Sequence, residues 1–151
     1  MKLEAVLDQR EIPYKKLWHR QAFTAQELAA EEHVSGHEVA KPVIVKGQKS
    51  FAMCVLAASN HVDLFRVARV LDEESVRLAT EDEMKTLFPE CEVGAEPPIG
   101  SLFGLKTVMD VGLRDKERLF IQAGTHTEAI RMRRDDWEQV CRPIIGAIAM
   151  A

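Results

Sequence analysis

Two apolar runs constrain this chain most. Val39–Val45 is β-branched and apolar apart from Lys41, and Phe51–Ala57 is apolar throughout. Gly47-Gln48 separates them. The pair reads as a β-hairpin with both strands well buried. Around it the pattern predicts helices over 3–10, from Thr24 to about Glu32, over Asp63–Leu71, from Thr80 to near Phe88-Pro89, and over Asp135–Cys141. Thr24 with Glu27, and Thr80 with Glu83, have the spacing of capping boxes. Further strands are expected at Ile12–His19, Val76–Ala79, Val108–Leu113, Arg118–Ala123 and Glu128–Met132. Strands that occur in pairs as well as beside helices break a strict βαβ alternation. The expected class is α+β, with a mixed or mostly antiparallel curved sheet and peripheral helices.

The chain has 151 residues, which suits one domain spanning 1–151, and 46% hydrophobic with 29% charged residues is an ordinary globular mix. Disordered, collagen-like and coiled-coil classes are thereby excluded. No stretch approaches the ~18 apolar residues of a spanning helix. The start, Met1–Glu4, lacks the apolar core of a signal peptide, so a cytoplasmic protein away from membranes is expected. The 20 basic and 24 acidic residues give a net charge of −4. A duplex-binding protein is usually basic, because phosphate neutralisation supplies much of its affinity. DNA is not an expected partner. Basic residues do cluster locally, in Lys15-Lys16 with His19-Arg20, at Lys46 and Lys49, and at Arg131, Arg133 and Arg134. Each reads as a solvated face unless two converge near Lys41, where they could hold an RNA end.

Cys54, Cys91 and Cys141 form no CxxC pair. A disulfide framework or a zinc site is not expected, and Cys54 reads as a small core residue. His19, His33, His37 and His61 show no metal-ligand spacing, so neither metal nor cofactor is expected. Ser101 has no GxSxG context.

Lys41 is the most informative residue. It is the only charge in its run, and Pro42 holds its backbone extended. On a strand it shares a face with Val39, Val43 and Val45. Its head must snorkel to solvent, pair with a carboxylate, or face a pocket where it could bind phosphate or carbonyl. The second feature is Gly94-Ala95-Glu96-Pro97-Pro98-Ile99-Gly100, followed by Ser101. It reads either as a plain connection or as a stiff loop that aims backbone N–H groups at an oxyanion. The third is Gly124-Thr125-His126-Thr127, where His126 is a solvated turn residue, a general base or a substrate ligand. Asp110, inside Val108–Val111, either orients a polar partner or sits on an exposed face.

Taken in order, these segments resemble the YbaK family of aminoacyl-tRNA editing domains, also called the prolyl-tRNA synthetase-associated domain. The resemblance runs over about residues 15–140 through Thr24–Ala29, Val39–Val45, Arg77–Thr80, Gly94–Gly100, Thr107–Asp110 and Gly124–Met132. It implies hydrolysis of the ester joining a wrong amino acid to tRNA, with mischarged tRNA as substrate and a synthetase as a possible partner. It implies that Lys41 is the key side chain, that Gly94, Pro98 and Gly100 line the aminoacyl pocket beside Ser101, and that Asp110 and His126 stand at site positions. Many members have Lys-Thr where this chain has Lys41-Pro42, so no threonine hydroxyl serves here.

The expected scheme is positioning by Lys41 and oxyanion stabilisation by backbone N–H groups near Gly100. An aminoacyl ester is already activated, so a water or the neighbouring ribose hydroxyl suffices as attacking group. Two other readings compete with it. One is a non-catalytic tRNA- or synthetase-binding module, favoured if side chains such as Phe103 or Met109 fill the pocket. The other is an unrelated hydrolase using Cys54 or His126.

Overall fold

In chain order the elements are α1 (Lys2–Gln9), β1 (Tyr14–Trp18), α2 (Ala25–Glu31), β2 (Ala40–Lys46), β3 (Phe51–Ala57), α3 (Leu64–Leu71), β4 (Arg77–Leu78), α4 (Glu81–Leu87), β5 (Lys106–Asp110), β6 (Arg118–Gln122), β7 (Glu128–Arg133), α5 (Arg134–Cys141) and β8 (Ile144–Gly146). This computed structural model describes residues 2–22 and 24–150; Met1, Phe23 and Ala151 lie outside the described residues. Single 3-10 turns cover Gly36–Glu38, Gly100–Phe103 and Val111–Asp115.

The expected hairpin is the centre of a five-stranded sheet of order β4-β2-β3-β5-β8. β2 and β3 pair antiparallel from Ala40↔Ala57 to Lys46↔Phe51. β3–β5 and β5–β8 are parallel, which makes the sheet mixed. A second, antiparallel sheet has the order β1-β7-β6. The two meet where Val39 bridges Phe120 in parallel. The main core fills the space between them. Ala40, Ile44, Met53 and Val55 from one sheet face Leu119, Ile121, Ile130 and Met132 from the other, closed by α1 and Trp137 of α5. The opposite face of the hairpin, with Val45 and Cys54, packs under Val67 of α3. The opposite face of β6–β7 packs under Leu28 and Ala29 of α2, together with Ala22, Val39 and Ala58. Each fully buried Leu, Ile or Met contributes about 1.5–3 kcal/mol.

The caps act locally. Thr24 Oγ1 accepts from Glu27 N–H at 3.1 Å and opens α2. At α4 both halves of the box close, Thr80 Oγ1 accepting from Glu83 N–H and Glu83 accepting from Thr80 N–H.

The strand expected over Val108–Leu113 ends at Asp110, and a 3-10 turn follows. Asp110 is the reason. Its Oδ2 accepts from Gly112 N–H at 3.2 Å and starts the turn. Its Oδ1 accepts from Ile148 N–H at 3.0 Å and Ala149 N–H at 3.3 Å. Asp110, expected to bind substrate, is instead 4% exposed with both oxygens holding backbone. It ties the carboxyl-terminal segment to the parallel strands. Asp110→Ala leaves three N–H groups without their acceptor, so urea denaturation is expected to show a loss of about 3 kcal/mol. Asp110→Asn, which keeps one carbonyl acceptor, loses less.

Candidate functional site

Lys41 lies at the end of β2 where the hairpin meets the other sheet, half-buried and opposite Leu56. Its Nζ donates to Ala58 O at 3.3 Å and to Asn60 O at 2.5 Å. Burial lowers its pKa from the usual lysine range. An ammonium has three N–H donors. Two go to carbonyls, and among the described residues no carboxylate stands within ion-pair distance. Of the three sequence alternatives, pairing with a carboxylate is therefore absent. The head is held on backbone dipoles beside α2.

The surroundings of Lys41 escaped the sequence reading. Gln26 Nε2, on α2, donates to the same Ala58 O at 2.8 Å. Ser59 Oγ lies 2.9 Å from His37 Nδ1. Gly36 sits so close that a Cβ there would stand 3.1 Å from Gln26 Oε1 and 3.3 Å from Ser59 Cβ. The glycine in Ser35-Gly36-His37 was the one available signal, since a residue without Cβ allows close backbone approach.

The Gly/Pro loop forms a second centre. Gly124 N–H donates to Ala95 O at 2.8 Å and Glu92 N–H to Gly124 O at 2.9 Å, so the loop pairs with the turn after β6. Gly94 and Gly124 have φ of 85° and 100°, the left-handed region that favours glycine. His126 is buried at this junction, not solvated. Its Nε2 carries the proton and donates to Val93 O at 2.6 Å. Its Nδ1 lies 3.6 Å from Glu92 Oε1, which also accepts from His126 N–H at 2.7 Å. Both ring nitrogens thus face groups of the loop, and the histidine clamps loop to turn.

Pro98 is buried, and its carbonyl accepts from Trp137 Nε1 at 2.9 Å and from Cys141 Sγ at 3.8 Å. The Gly100 N–H, expected to face an oxyanion, instead donates to Thr107 Oγ1 at 3.0 Å inside the core. This N–H is committed to the loop's own anchorage. Ser101 is exposed on the 3-10 turn.

The two centres share no direct hydrogen bond among the described residues. Ala22 links them: its N–H donates to His126 O at 2.8 Å, and its side chain packs with Val39 and Ala58. Ala40, Ala57, Ile99 and Ala123, one from each flanking segment, lie in a single core cluster. Phe103 stacks edge-on against Phe88, centroids 4.6 Å apart, and Met109 lies in the main core.

Glu96 is a buried carboxyl the sequence reading passed over. It is 3% exposed and accepts from Gly94 N–H at 3.1 Å. Burial pushes its pKa above the usual carboxylate range, against the pull of its own and the Gly94 amides. The cysteines offer no nucleophile, because burial pushes Cys54 up to about 12 and Cys91 up to about 11. Among the described residues no three His, Cys, Asp or Glu side chains gather to hold a metal ion. Nor is any helix among them long and apolar enough to cross a membrane.

The family model of the aminoacyl-tRNA editing domain matches residues 19–140. Among solved structures, the hypothetical protein APE2540 superposes with a TM-score of 0.90 at 19% identity, covering 99% of this chain and 100% of that chain. A crystal structure described as "a putative trans-editing enzyme for prolyl tRNA synthetase" superposes with a TM-score of 0.84 at 19% identity, covering 99% of this chain and 96% of that one. A "putative signal transduction protein" from Marinobacter aquaeolei VT8 has a TM-score of 0.76 at 14% identity. There the match covers 97% of this chain but 31% of that chain, so the same fold is part of a longer protein. No curated protein matches. At these identities the structures establish the fold.

Two outcomes follow from this geometry. A Cβ on Gly100 would stand 2.3 Å from Thr107 Oγ1 and 2.7 Å from Leu105 O. Gly100→Ala is expected to cost roughly 3 kcal/mol in urea denaturation, so any loss of activity comes with a loss of stability. For Glu96, the fold holds a proton that the unfolded chain has released, so its contribution falls as pH rises from the ordinary Glu pKa to the raised one. Glu96→Gln should therefore match wild-type stability at acid pH and exceed it above that window, in unfolding titrations across a pH series.

Proposed function

Because the chain belongs to the aminoacyl-tRNA editing domain family, we propose that it hydrolyses the ester of mischarged tRNA in trans, with Lys41 placing the substrate. The observation that carries this reading is the half-buried Lys41 ammonium. Two of its donors are fixed on Ala58 O and Asn60 O, and among the described residues no carboxylate neutralises it. A desolvated cation of this kind gains from an anionic or strongly polar ligand, such as the phosphate or ribose of a terminal adenosine or the ester carbonyl. The loop segment Gly94–Pro98, clamped by His126 and Trp137, forms a stiff wall for a small side chain.

The mechanism needs little beyond placement. Lys41 orients the acceptor end, and its third N–H donates to the substrate. The Gly100 amide is spent on Thr107, so oxyanion stabilisation falls to Lys41 and to other amides of the loop. A water attacks the carbonyl carbon, and the ribose hydroxyl next to the ester can orient that water by a hydrogen bond. The acyl C–O bond breaks, the water's oxygen stays on the released amino acid, and the ribose oxygen takes up a proton in place of the one the water loses. His126 positions the loop and does not touch the reacting atoms. The physical need for such a step is general. A synthetic pocket gains only about 1–3 kcal/mol per methylene, so small or near-isosteric amino acids are mischarged and a second site must remove them. Tightly packed Cys54 and a buried His126 whose Nε2 is held by Val93 O disfavour the unrelated hydrolase. The substrate class expected is a small amino acid on tRNA for proline or a related acceptor, with a synthetase as a possible docking partner.

The test is deacylation of tRNAs mischarged with alanine, cysteine, serine and threonine. Wild type should release one of them rapidly. Lys41→Ala should lower that rate about a hundredfold or more, as loss of a preorganised donor does, while Ser101→Ala stays near wild type. A rate that survives Lys41→Ala but falls with Ser101→Ala would overturn the mechanism. No release by wild type, with tRNA still bound, would identify a binding module.

A further inference from the structure

The outer face of the β1-β7-β6 sheet gathers cations from three strands, β1 lying far from the other two in sequence. Lys15 on β1 stands opposite Arg131 on β7, and Arg118 on β6 stands opposite Arg133. Side chains alternate faces along a strand. Tyr14 and Met132 turn to the main core, and the four cations lie on the other side. All four line one concavity of about 390 Å³ whose lining includes no carboxylate. The Arg118 guanidinium lies 5.4 Å from the centre of the Phe120 ring, which leaves its fork spread over this surface.

Two of these four cations differ in state from their neighbours. On the adjoining surface Arg114 and Arg134 pair with Glu138, and Lys116 pairs with Asp115. Of the four, Arg133 is held by Asp135 at 2.9 Å, and Arg118 reaches Glu38 at 3.6 Å. Lys15 and Arg131 have no carboxylate within ion-pair distance among the described residues. Two adjacent uncompensated cations repel, and that cost persists in the fold unless an anion covers them. They sit on a molecule whose net charge is −4, so the local field opposes the bulk charge.

We propose that this face binds the phosphodiester backbone of the tRNA, a proposal that takes its RNA from the editing reading above. Neighbouring strands lie about 4.8 Å apart, and alternate residues on one strand about 7 Å apart. Lys15, Arg131, Arg133 and Arg118 therefore form a staggered array fixed on three paired strands rather than a mobile tail. Arginine forks bind phosphate oxygens in pairs, and lysine binds them as a point charge. The array adjoins the candidate site through the strands themselves. Phe120, between Arg118 and Gln122 on β6, bridges Val39, and β2 continues from Val39 to Lys41. β6 thus ties the array to the strand that carries Lys41, with α2 lying over the junction. The contacts would be sequence-independent, since they reach phosphates and no base.

The experiment is a binding titration of uncharged tRNA over a series of KCl concentrations. It compares wild type, the double variant Lys15→Ala/Arg131→Ala, and Lys85→Ala as a charge control on exposed α4. The double variant should bind roughly tenfold more weakly at low salt. Its plot of log affinity against log salt should be shallower by about 1.5, the loss of two phosphate contacts. Lys85→Ala should match wild type. If the double variant folds poorly, Arg131→Gln alone is read instead, with an expected slope change of about 0.8. Equal affinity and slope in variant and control would overturn the proposal, as would failure of wild type to bind tRNA at low salt. Tighter binding of polyglutamate than of tRNA at the same ionic strength would assign the face to an acidic protein and overturn it too. The two readings fail separately. Patch-dependent tRNA binding without deacylation removes the hydrolase, whereas Lys41-dependent deacylation with an unchanged salt slope removes the RNA face.

Discussion

The structure depends on burying the β2–β3 hairpin from both sides. One face meets the β1-β7-β6 sheet and the other lies under α3. A strand so enclosed has nowhere to place a charge except its end. Lys41 occupies that end, and the solution found there is two backbone carbonyls rather than a carboxylate. The same enclosure positions the remaining elements. The Val39–Phe120 bridge is where the hairpin touches the second sheet, and α2 covers that junction with Leu28 and Ala29. The candidate site is thus a by-product of how two sheets share one hairpin.

The Gly/Pro loop shows how polar groups are divided between structure and chemistry. The Pro98 carbonyl, the Gly100 amide, and the Nε2 and backbone amide of His126 are all spent on holding the loop. A loop anchored at so many points changes shape little, which suits the wall proposed for it. It also restricts which groups remain for a substrate. Lys41 stands out because its neighbours are carbonyls that orient it without neutralising it. The buried Glu96 adds to this loop a group whose ionisation works against the fold.

Residue by residue, legibility followed the range of the interaction. Thr80 and Glu83 declared their capping box because the partners are three residues apart. The hairpin was legible from its two runs and the glycine between them, and Lys41 was conspicuous as the one charge in the Val39–Val45 run. Asp110 misled for the opposite reason. Its partners, Ile148 and Ala149, lie 38 and 39 residues away, and no local pattern announces them. The short β8 was missed on the same ground, since it exists by parallel pairing with β5. Gly100 looked like a donor because a glycine in a stiff loop suggests an exposed amide, whereas Thr107 had already claimed it.

The cations show the division most plainly. Lys15 and Arg131 are 116 positions apart in the chain, and as sequence each belongs to an unremarkable basic cluster. The β1–β7 register alone sets them side by side. The sequence by itself determined the hairpin, the helix starts and the singular charge at Lys41, because periodicity, caps and burial are properties of neighbouring residues. Only the tertiary structure decided that the Asp110 and Gly100 groups serve the fold, that Lys41 rests on Ala58 and Asn60, and that two basic clusters form one face. Those outcomes depend on which distant strands pair and in which register, and a single chain's local chemistry does not encode that choice in any one place.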